Sequence, residues 1–297
     1  MKLERFLART VLPTLVAVVC VAATLAAAKP KPAPAFPPIV AESFEGKDPA
    51  KVTHLDLRNW EIRDEDLASL KPLTQLEGLD LTGTQVGDAG LAHLKPLTQL
   101  ISLHLVRTKV SDAGLAHLKA LSQLKMLTLE RTKVGNSGLA HLKGMTQLEW
   151  LNLADTQVGN AGLECLKPLT RLKLLDLTGT QVDDAGLAHL KAMTQLRTLT
   201  LMKTKVGDVG LEHLKRLSKL EGLFLSGTKV SDAGLEHLTP LTQLEWLDLS
   251  NTQVGDAGLE RLKTLTQLQN LGLSGSKVTK AGVDGLQKHL PDCKIHW

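Results

Sequence analysis

The sequence predicts an α/β solenoid, an elongated domain in which one short structural unit is stacked many times. A 24-residue segment, first clear at Leu73–Pro96, recurs so that ten copies run from Pro49 to Lys288. Each copy carries one leucine pair at spacing two and another at spacing three, which indicates a short strand followed by a short helix. One copy cannot bury these leucines alone, so we expect neighbouring copies to stack.

The strand and the helix of each copy are predicted from the first clear repeat. Leu79 and Leu81 are typical of a short strand with one buried face. Leu91 and Leu94 lie on one face of a helix. Isolated helices of fewer than about 12 residues are marginal in water, so stacking must stabilise these helices.

Three positions of the repeat, numbered 1 to 24 from Leu73, bear on the helix. Position 16 is Asp or Asn in nine of ten copies, and we expect it to cap the free N–H groups of the first turn. Position 23 is Lys in eight of ten copies, which suits the negative end of the helix dipole. Position 18 is Gly in nine copies, which predicts close approach between neighbouring copies or a φ that other residues avoid.

The segment Leu76–Leu94 reads L-x-x-L-x-L-x-x-T-x-V-x-D-A-G-L-x-x-L and resembles a leucine-rich repeat. The resemblance is closest to the cysteine-containing type of F-box receptor proteins and of many bacterial repeat proteins. It implies a curved α/β solenoid, with a parallel β-sheet on the concave face and short helices on the convex face. Position 12, usually Asn or Cys, is Thr in eight copies, Ser276 in the last and Trp60 in the first. A Thr hydroxyl there can bond nearby backbone.

The sequence predicts four segments. Residues 1–28 combine basic residues with an apolar run at 11–28, which indicates a cleaved signal peptide or, if retained, an N-terminal membrane anchor. Residues 29–48 are a proline-rich linker, 49–288 are the ten repeats, and 289–297 are a C-terminal capping strand.

Charge and cysteine content exclude some classes of protein. The net charge is +4, and residues 1–28 supply half of it, so the remainder is nearly neutral and no nucleic-acid partner is predicted. Beyond the signal segment, Cys165 and Cys293 lie about five repeats apart. At ~4.8 Å per strand this is too far for an intramolecular disulfide.

Two columns of helix residues are weak candidates for ligand sites. Position 21 is His in six copies with Cys165 in line, and such a column could bind a metal. A half-buried helix residue copied by duplication also explains the column, and no metal or cofactor is predicted. The lysines at position 23 could bind an anionic polymer, but C-terminal helix capping accounts for them.

The sheet surface is the stronger candidate. Its positions vary between copies, whereas the core positions barely change. We expect an exposed apolar patch with a charged rim, a combination that marks interaction sites, and a second, smaller apolar patch. The predicted partner-binding residues are Met126, Trp150 and Leu174, their rim Arg107, Arg131, Glu130 and Asp155, and the smaller pair Phe224 and Trp246. Neutral drift on a solvated sheet is the alternative.

The sequence therefore predicts an exported, non-enzymatic scaffold, periplasmic, cell-surface or secreted, that binds a protein through its concave face. A cell-envelope polysaccharide is the less favoured ligand, and membrane contact is expected only through an uncleaved N-terminal segment. No GxSxG, HExxH or P-loop motif is present. One alternative is a structural spacer of the cell envelope. Another, by family analogy alone, is a substrate receptor of a ubiquitin-ligase-like complex, but residues 1–48 leave no room for an F-box.

Overall fold

A computed structural model describes residues 51–297, so the predicted signal or anchor segment and the proline-rich linker lie outside the described residues. Within this range the chain forms one sheet of eleven parallel strands in sequence order. The strands are β1 His54–Asp56, β2 Gly78–Asp80, β3 Ser102–His104, β4 Met126–Thr128, β5 Trp150–Asn152, β6 Leu174–Asp176, β7 Thr198–Thr200, β8 Gly222–Phe224, β9 Trp246–Asp248, β10 Asn270–Gly272 and β11 Lys294–His296.

The register of the sheet aligns equivalent residues of successive repeats. Leu127 of β4 pairs with Leu151 of β5, which pairs with Leu175 of β6. These partners are 24 residues apart, as are the partners along the rest of the sheet. A second backbone ladder runs beside the sheet, where for example Gln157 N donates to Val134 O at 2.9 Å. Every row of the sheet therefore holds the same repeat position.

The hydrophobic core lies between the strands and the helices. The strand leucines Leu127 and Leu129 and the helix leucines Leu139 and Leu142 are fully buried. The equivalent residues of the other repeats belong to the same continuous cluster. The predicted α/β solenoid is therefore confirmed, because the leucines of both spacings meet in one core.

The helical segments are short. The α-helices span Asp88–Leu91, Asp112–Leu115, Asn136–Leu139, Asn160–Leu166, Asp184–Leu187, Asp208–Leu211, Asp256–Leu262 and Lys280–Gln287. The 3₁₀ segments span Glu65–Leu70, Ala92–Leu94, Ala116–Ala120, Ala140–Leu142, Ala188–Leu190, Glu212–Leu214 and Asp232–Leu238. Within residues 51–297, no helix combines the length and the hydrophobicity that crossing a bilayer requires.

The acidic residue at position 16 does not cap its own helix, so that prediction was wrong. Position 15 is the N-cap, and at Ser111 and Gly135 no side chain caps the helix. Asp112 is instead the first helical residue, and its Oδ1 accepts from Gly135 N of the next repeat at 2.6 Å. The same bond follows each position-16 residue from Asp64 to Asp256. Because position 16 already lies inside the helix, its carboxylate reaches the neighbouring coil instead of the preceding N–H groups.

The glycines at position 18 make room for this bond. A Cβ on Gly138 would lie 2.5 Å from Asp112 Oδ1 and 3.1 Å from Asp112 Cα. The prediction of close approach between repeats is thus confirmed, and position 18 has no positive φ. Asp at position 16 and Gly at position 18 of the next copy form one contact.

The hydroxyls of the position-12 threonines bond nearby backbone, as predicted, and the structure shows that these threonines form a buried ladder. Thr132 Oγ1 donates to Leu129 O at 2.6 Å, and Thr156 Oγ1 donates to Leu153 O at 2.6 Å. The other copies repeat this contact, down to Ser276 with Leu273 O at 2.7 Å. Each hydroxyl satisfies a carbonyl at the end of a strand, where the chain turns out of the sheet.

The two cysteines of the described range are free thiols. Cys165 is half-buried and Cys293 is buried beside the last strand, where burial raises the pKa of the Cys293 thiol to about 11. Burial disfavours the charged thiolate, so Cys293 is a packing residue at neutral pH.

Candidate partner-binding surface

The candidate surface is the side of the sheet that faces away from the core. Leu151 and Leu153 of the β5 repeat point into the core and are fully buried. Because side chains alternate along a strand, positions 6 and 8 point to the opposite side. We call this side the sheet face. It consists of the side chains at positions 6 and 8 together with those at positions 10 and 11 that follow each strand.

The apolar residues of the sheet face are not exposed, which corrects the sequence-based expectation. Met126 is 4% exposed, Trp150 7%, Leu174 3% and Phe224 6%. The first three are in-register neighbours on β4, β5 and β6. Strands lie about 4.8 Å apart, so large side chains in one row cover each other's flanks. The row is therefore a packed apolar floor instead of an open patch.

Three polar atoms on the sheet face are buried without a hydrogen-bond partner among residues 51–297. They are Trp150 Nε1, Thr198 Oγ1 and His104 Nε2. Trp150 and Thr198 both occupy position 6 of their repeats, on the strands that flank Leu174. A buried polar group left unpaired costs about 1–3 kcal/mol. Two such atoms on either side of one leucine make this part of the sheet face unlike the rest of the structure.

Charged side chains form a rim beside the floor. Arg131 Nε lies 3.0 Å from Asp155 Oδ2 and 3.8 Å from Glu130 Oε1. Asn152 Nδ2 donates to Glu130 Oε2 at 3.4 Å. The structure thus brings together three of the four predicted rim residues. Arg107 is exposed at the equivalent position one repeat earlier and forms no ion pair with residues 51–297.

Position 11 has a left-handed backbone along the sheet face. Gly83, Gly179, Gly227 and Gly275 occupy it with φ from 68° to 73°. Non-glycine residues also take this conformation there, namely Asn59, Arg107, Arg131, Asp155, Lys203 and Asn251. An L-residue in this region costs roughly 1–2 kcal/mol, and Asn and Asp tolerate it best. Arg107, Arg131 and Lys203 therefore hold strained positions at the edge of the face, a pattern found at functional sites.

Asp80 and Asp176, both at position 8 of their repeats, differ in the charged groups around them. Asp80 Oδ2 lies 3.4 Å from Arg58 Nε, and Arg58 also pairs with Asp56 at 2.5 Å. Asp176 forms no ion pair among the described residues, and its Oδ1 accepts from Thr178 N at 2.9 Å. Burial raises the pKa of Asp176 to about 6, and the negative charges of Glu130 and Asp155 add to the rise.

His104 lies on β3, between the strands that carry Asp80 and Asp176. Its Nδ1 is 3.2 Å from Thr128 Oγ1, and burial lowers its pKa. The nearby Asp80 opposes this shift. His104 is therefore a neutral, buried ring at pH 7, and its Nε2 has no partner.

The remaining candidates do not form a comparable site. Phe224 and Trp246 are diagonal neighbours on β8 and β9, with Phe224 buried and Trp246 partly buried. The position-21 histidines are half-buried on the helices, and burial lowers the pKa of His213. Within residues 51–297, no group of three or more His, Cys, Asp or Glu side chains is arranged to hold a metal ion.

Sequence reasoning missed Thr198 and the isolation of Asp176. A usable signal exists at position 10, which is Arg58 before Asp80 but Ala154 before Asp176. The glycines and asparagines at position 11 also indicated a left-handed turn.

The fold is a solenoid of parallel-strand repeats, and comparison with known protein families agrees with this architecture. Two models described as leucine-rich repeat match residues 194–254 and 145–167. No curated protein sequence matches this chain significantly. Residues 51–297 thus have the fold of a leucine-rich repeat solenoid.

Several solved structures share the fold. An internalin (InlF) of Listeria monocytogenes is 20% identical, with a TM-score of 0.63 and coverage of 86% of each chain. The functional domain of InlJ of the same organism is 21% identical, with a TM-score of 0.62, over 86% of this chain and 57% of that one. The ectodomain of the Arabidopsis receptor kinase HAESA, solved with a peptide hormone ligand, is 20% identical with a TM-score of 0.63. That match covers 82% of this chain and 43% of HAESA.

Proposed function

We propose that this chain is an exported, non-enzymatic recognition scaffold that binds a protein partner through the sheet face around β4, β5 and β6. The observation that carries the proposal is the pair of buried, unpaired atoms Trp150 Nε1 and Thr198 Oγ1 in an otherwise apolar row. Their cost is recovered when a partner supplies hydrogen-bonding groups.

The rim gives the partner its first contacts. Arg107, Arg131 and Asp155 are exposed above the apolar floor formed by Met126, Trp150 and Leu174. Side chains at interfaces commonly change rotamer on binding, so movement of the rim gives a partner access to Trp150. Trp and Arg are also the residues most enriched among binding hot spots. The HAESA ectodomain, which shares the fold, is solved with a peptide hormone ligand, and this supports a peptide or protein ligand for the present chain.

Export is the second element of the proposal. Residues 1–28 have the charge and hydropathy pattern of a signal peptide, and a retained segment would be the chain's contact with a membrane. N-terminal sequencing of the protein from the producing cell tests this. A mature chain that begins shortly after Ala28 supports cleavage, whereas an intact Met1 in the membrane fraction supports an anchor.

Affinity capture tests the binding surface. Full-length baits carrying Trp150→Ala or Arg131→Glu are compared with the unchanged chain and with Lys119→Glu on the helical side. We expect one partner to be retained by the unchanged chain and by Lys119→Glu, and lost by the other two. Equal capture by all four baits would move the site elsewhere. Absence of a captured protein would favour a structural spacer or a polysaccharide ligand.

A further inference from the structure

Position 10 of one repeat reaches position 8 of the next. Arg58, at position 10 of the first repeat, lies 3.4 Å from Asp80 on β2. Glu130, at position 10 of the fourth repeat, lies 3.4 Å from Asn152 on β5. These two contacts define where a partner for a row-8 side chain stands on the sheet face.

Asp176 has no such partner among residues 51–297. Position 10 of the preceding repeat is Ala154, a buried methyl group without charge. The charged groups that add to the raised pKa of Asp176 are Glu130 and Asp155, and both are negative. Arg131 lies closer to those two, at 3.8 Å and 3.0 Å. Arg131 pairs with Glu130 and Asp155, and among residues 51–297 it forms no ion pair with Asp176.

A second observation lies on the same side of the sheet. Trp150 is 7% exposed and Thr198 is fully buried, and neither Trp150 Nε1 nor Thr198 Oγ1 has a hydrogen-bond partner in the described part of the chain. Their strands, β5 and β7, flank β6, which carries Asp176. The indole N–H is only a donor, so the group that it lacks is an acceptor oxygen.

We propose that Asp176, Trp150 and Thr198 form a subsite that binds the cationic side chain, a lysine ammonium or an arginine guanidinium, of the partner protein. This inference rests on the proposed function. The cation pairs with Asp176 as Arg58 pairs with Asp80. Peptide oxygens of the partner accept from Trp150 Nε1 and Thr198 Oγ1, and the indole ring adds a cation–π contact. Glu130, Asp155 and Asp176 disfavour an anionic group at this subsite.

Small probes test the subsite on the full-length protein without knowledge of the partner. N-acetyl-arginine methylamide and N-acetyl-lysine methylamide are titrated and followed by NMR. The readouts are the indole N–H signal of Trp150, assigned by its loss in Trp150→Phe, and the carboxyl carbon of Asp176. The glutamine and glutamate methylamides are the controls. We expect both cationic probes to shift the two signals, and both controls to leave them in place.

Two substitutions have precedents in the chain itself. Asp176→Asn removes the charge but keeps the acceptor, since Asn152 Oδ1 accepts from Ala154 N at 2.8 Å in the preceding repeat. Ala154→Arg places a guanidinium beside Asp176 as Arg58 stands beside Asp80. Each is expected to weaken cationic-probe binding by about tenfold or more, because each removes or occupies the charge partner. Ser226→Arg places an arginine at the equivalent position beside Asp248 and is the control. This variant should bind the cationic probes as the unchanged chain does.

The outcomes separate this inference from the proposed function. Equal shifts with the arginine and glutamine probes, no shift with either, or undiminished binding by Asp176→Asn would each overturn the subsite. A captured partner that depends on Trp150 but not on Asp176 would leave the proposed function in place without this subsite. Binding of the cationic probes without any captured protein would support the subsite but not the proposed protein partner.

Discussion

Asp112 and Gly138 form the contact that joins one repeat to the next. Asp112 Oδ1 accepts from Gly135 N at 2.6 Å, and a Cβ on Gly138 would lie 2.5 Å from the same oxygen. The hydrogen bond and the glycine are thus one structural unit, since the carboxylate fits only where position 18 lacks a side chain.

The first prediction concerns this contact. Gly138→Ala should lower the free energy of unfolding by about 1–3 kcal/mol, because the added methyl group overpacks against Asp112. Gly144→Ala is the matched control, since a Cβ there meets nothing within 4 Å. It should be neutral or slightly stabilising. Urea denaturation of the full-length chain measures both.

A double-mutant cycle tests the cause. Asp112→Ala removes the bond to Gly135 N, and in that background Gly138→Ala should cost less, because the carboxylate oxygen is gone. Strictly additive losses would show that the two residues do not act through each other.

The second prediction concerns the buried threonine ladder. Thr132→Val keeps the shape of the side chain but leaves Leu129 O without its 2.6 Å donor. Leu129 O then keeps only its 3.2 Å bond from the backbone N of residue 132. Loss of one buried hydrogen bond costs about 0.5–1.5 kcal/mol, so thermal and urea unfolding should both occur earlier. Thr146→Val, at an exposed position 2, is the control and should change the free energy of unfolding by less than about 0.5 kcal/mol. Equal effects at the two sites would contradict a structural role for the hydroxyl.

The third prediction concerns Arg107, whose φ is 55°. Arg107→Gly should raise the free energy of unfolding by about 0.5–1 kcal/mol, because glycine adopts the left-handed region without the steric cost. Arg107→Ala removes the same charge but keeps the Cβ, so it should give no such gain. A stabilised alanine variant would indicate that charge, and not backbone strain, is responsible.

The fourth prediction follows from Asp176, whose pKa burial raises from 3.8 to about 6. The folded protein holds this proton more tightly than the unfolded chain does. The group therefore stabilises the fold fully below about pH 4, and its contribution is lost as the pH rises through about 6. Asp176→Asn should accordingly be more stable than the unchanged chain at pH 7, by about 1–3 kcal/mol, and similar to it at pH 4.

Urea denaturation of both proteins across this pH range provides the measurement, and groups common to both cancel in the difference. The variant keeps the acceptor for Thr178 N, so a lost hydrogen bond does not confuse the comparison. A difference that does not change with pH would show that Asp176 is not the titrating group.

Much of the fold follows from local periodicity. The spacing of Leu79 and Leu81 and that of Leu91 and Leu94 predict which side chains face the core, because side-chain direction along a strand or helix is a local property. Thr132 is similar, since its hydroxyl bonds a carbonyl only three residues earlier. The tandem repetition then requires stacking, so the sequence by itself determined the solenoid and its core.

The tertiary structure alone decided the contacts between coils and the state of the sheet face. The partner of Asp112 lies 23 residues further along the chain, where no helical or strand period points to it. The burial of Trp150 and the missing cation beside Asp176 depend on which side chains neighbouring strands place at ~4.8 Å spacing. The physical reason is that periodicity specifies the direction of a side chain, whereas its environment is set by the packing of separate repeats.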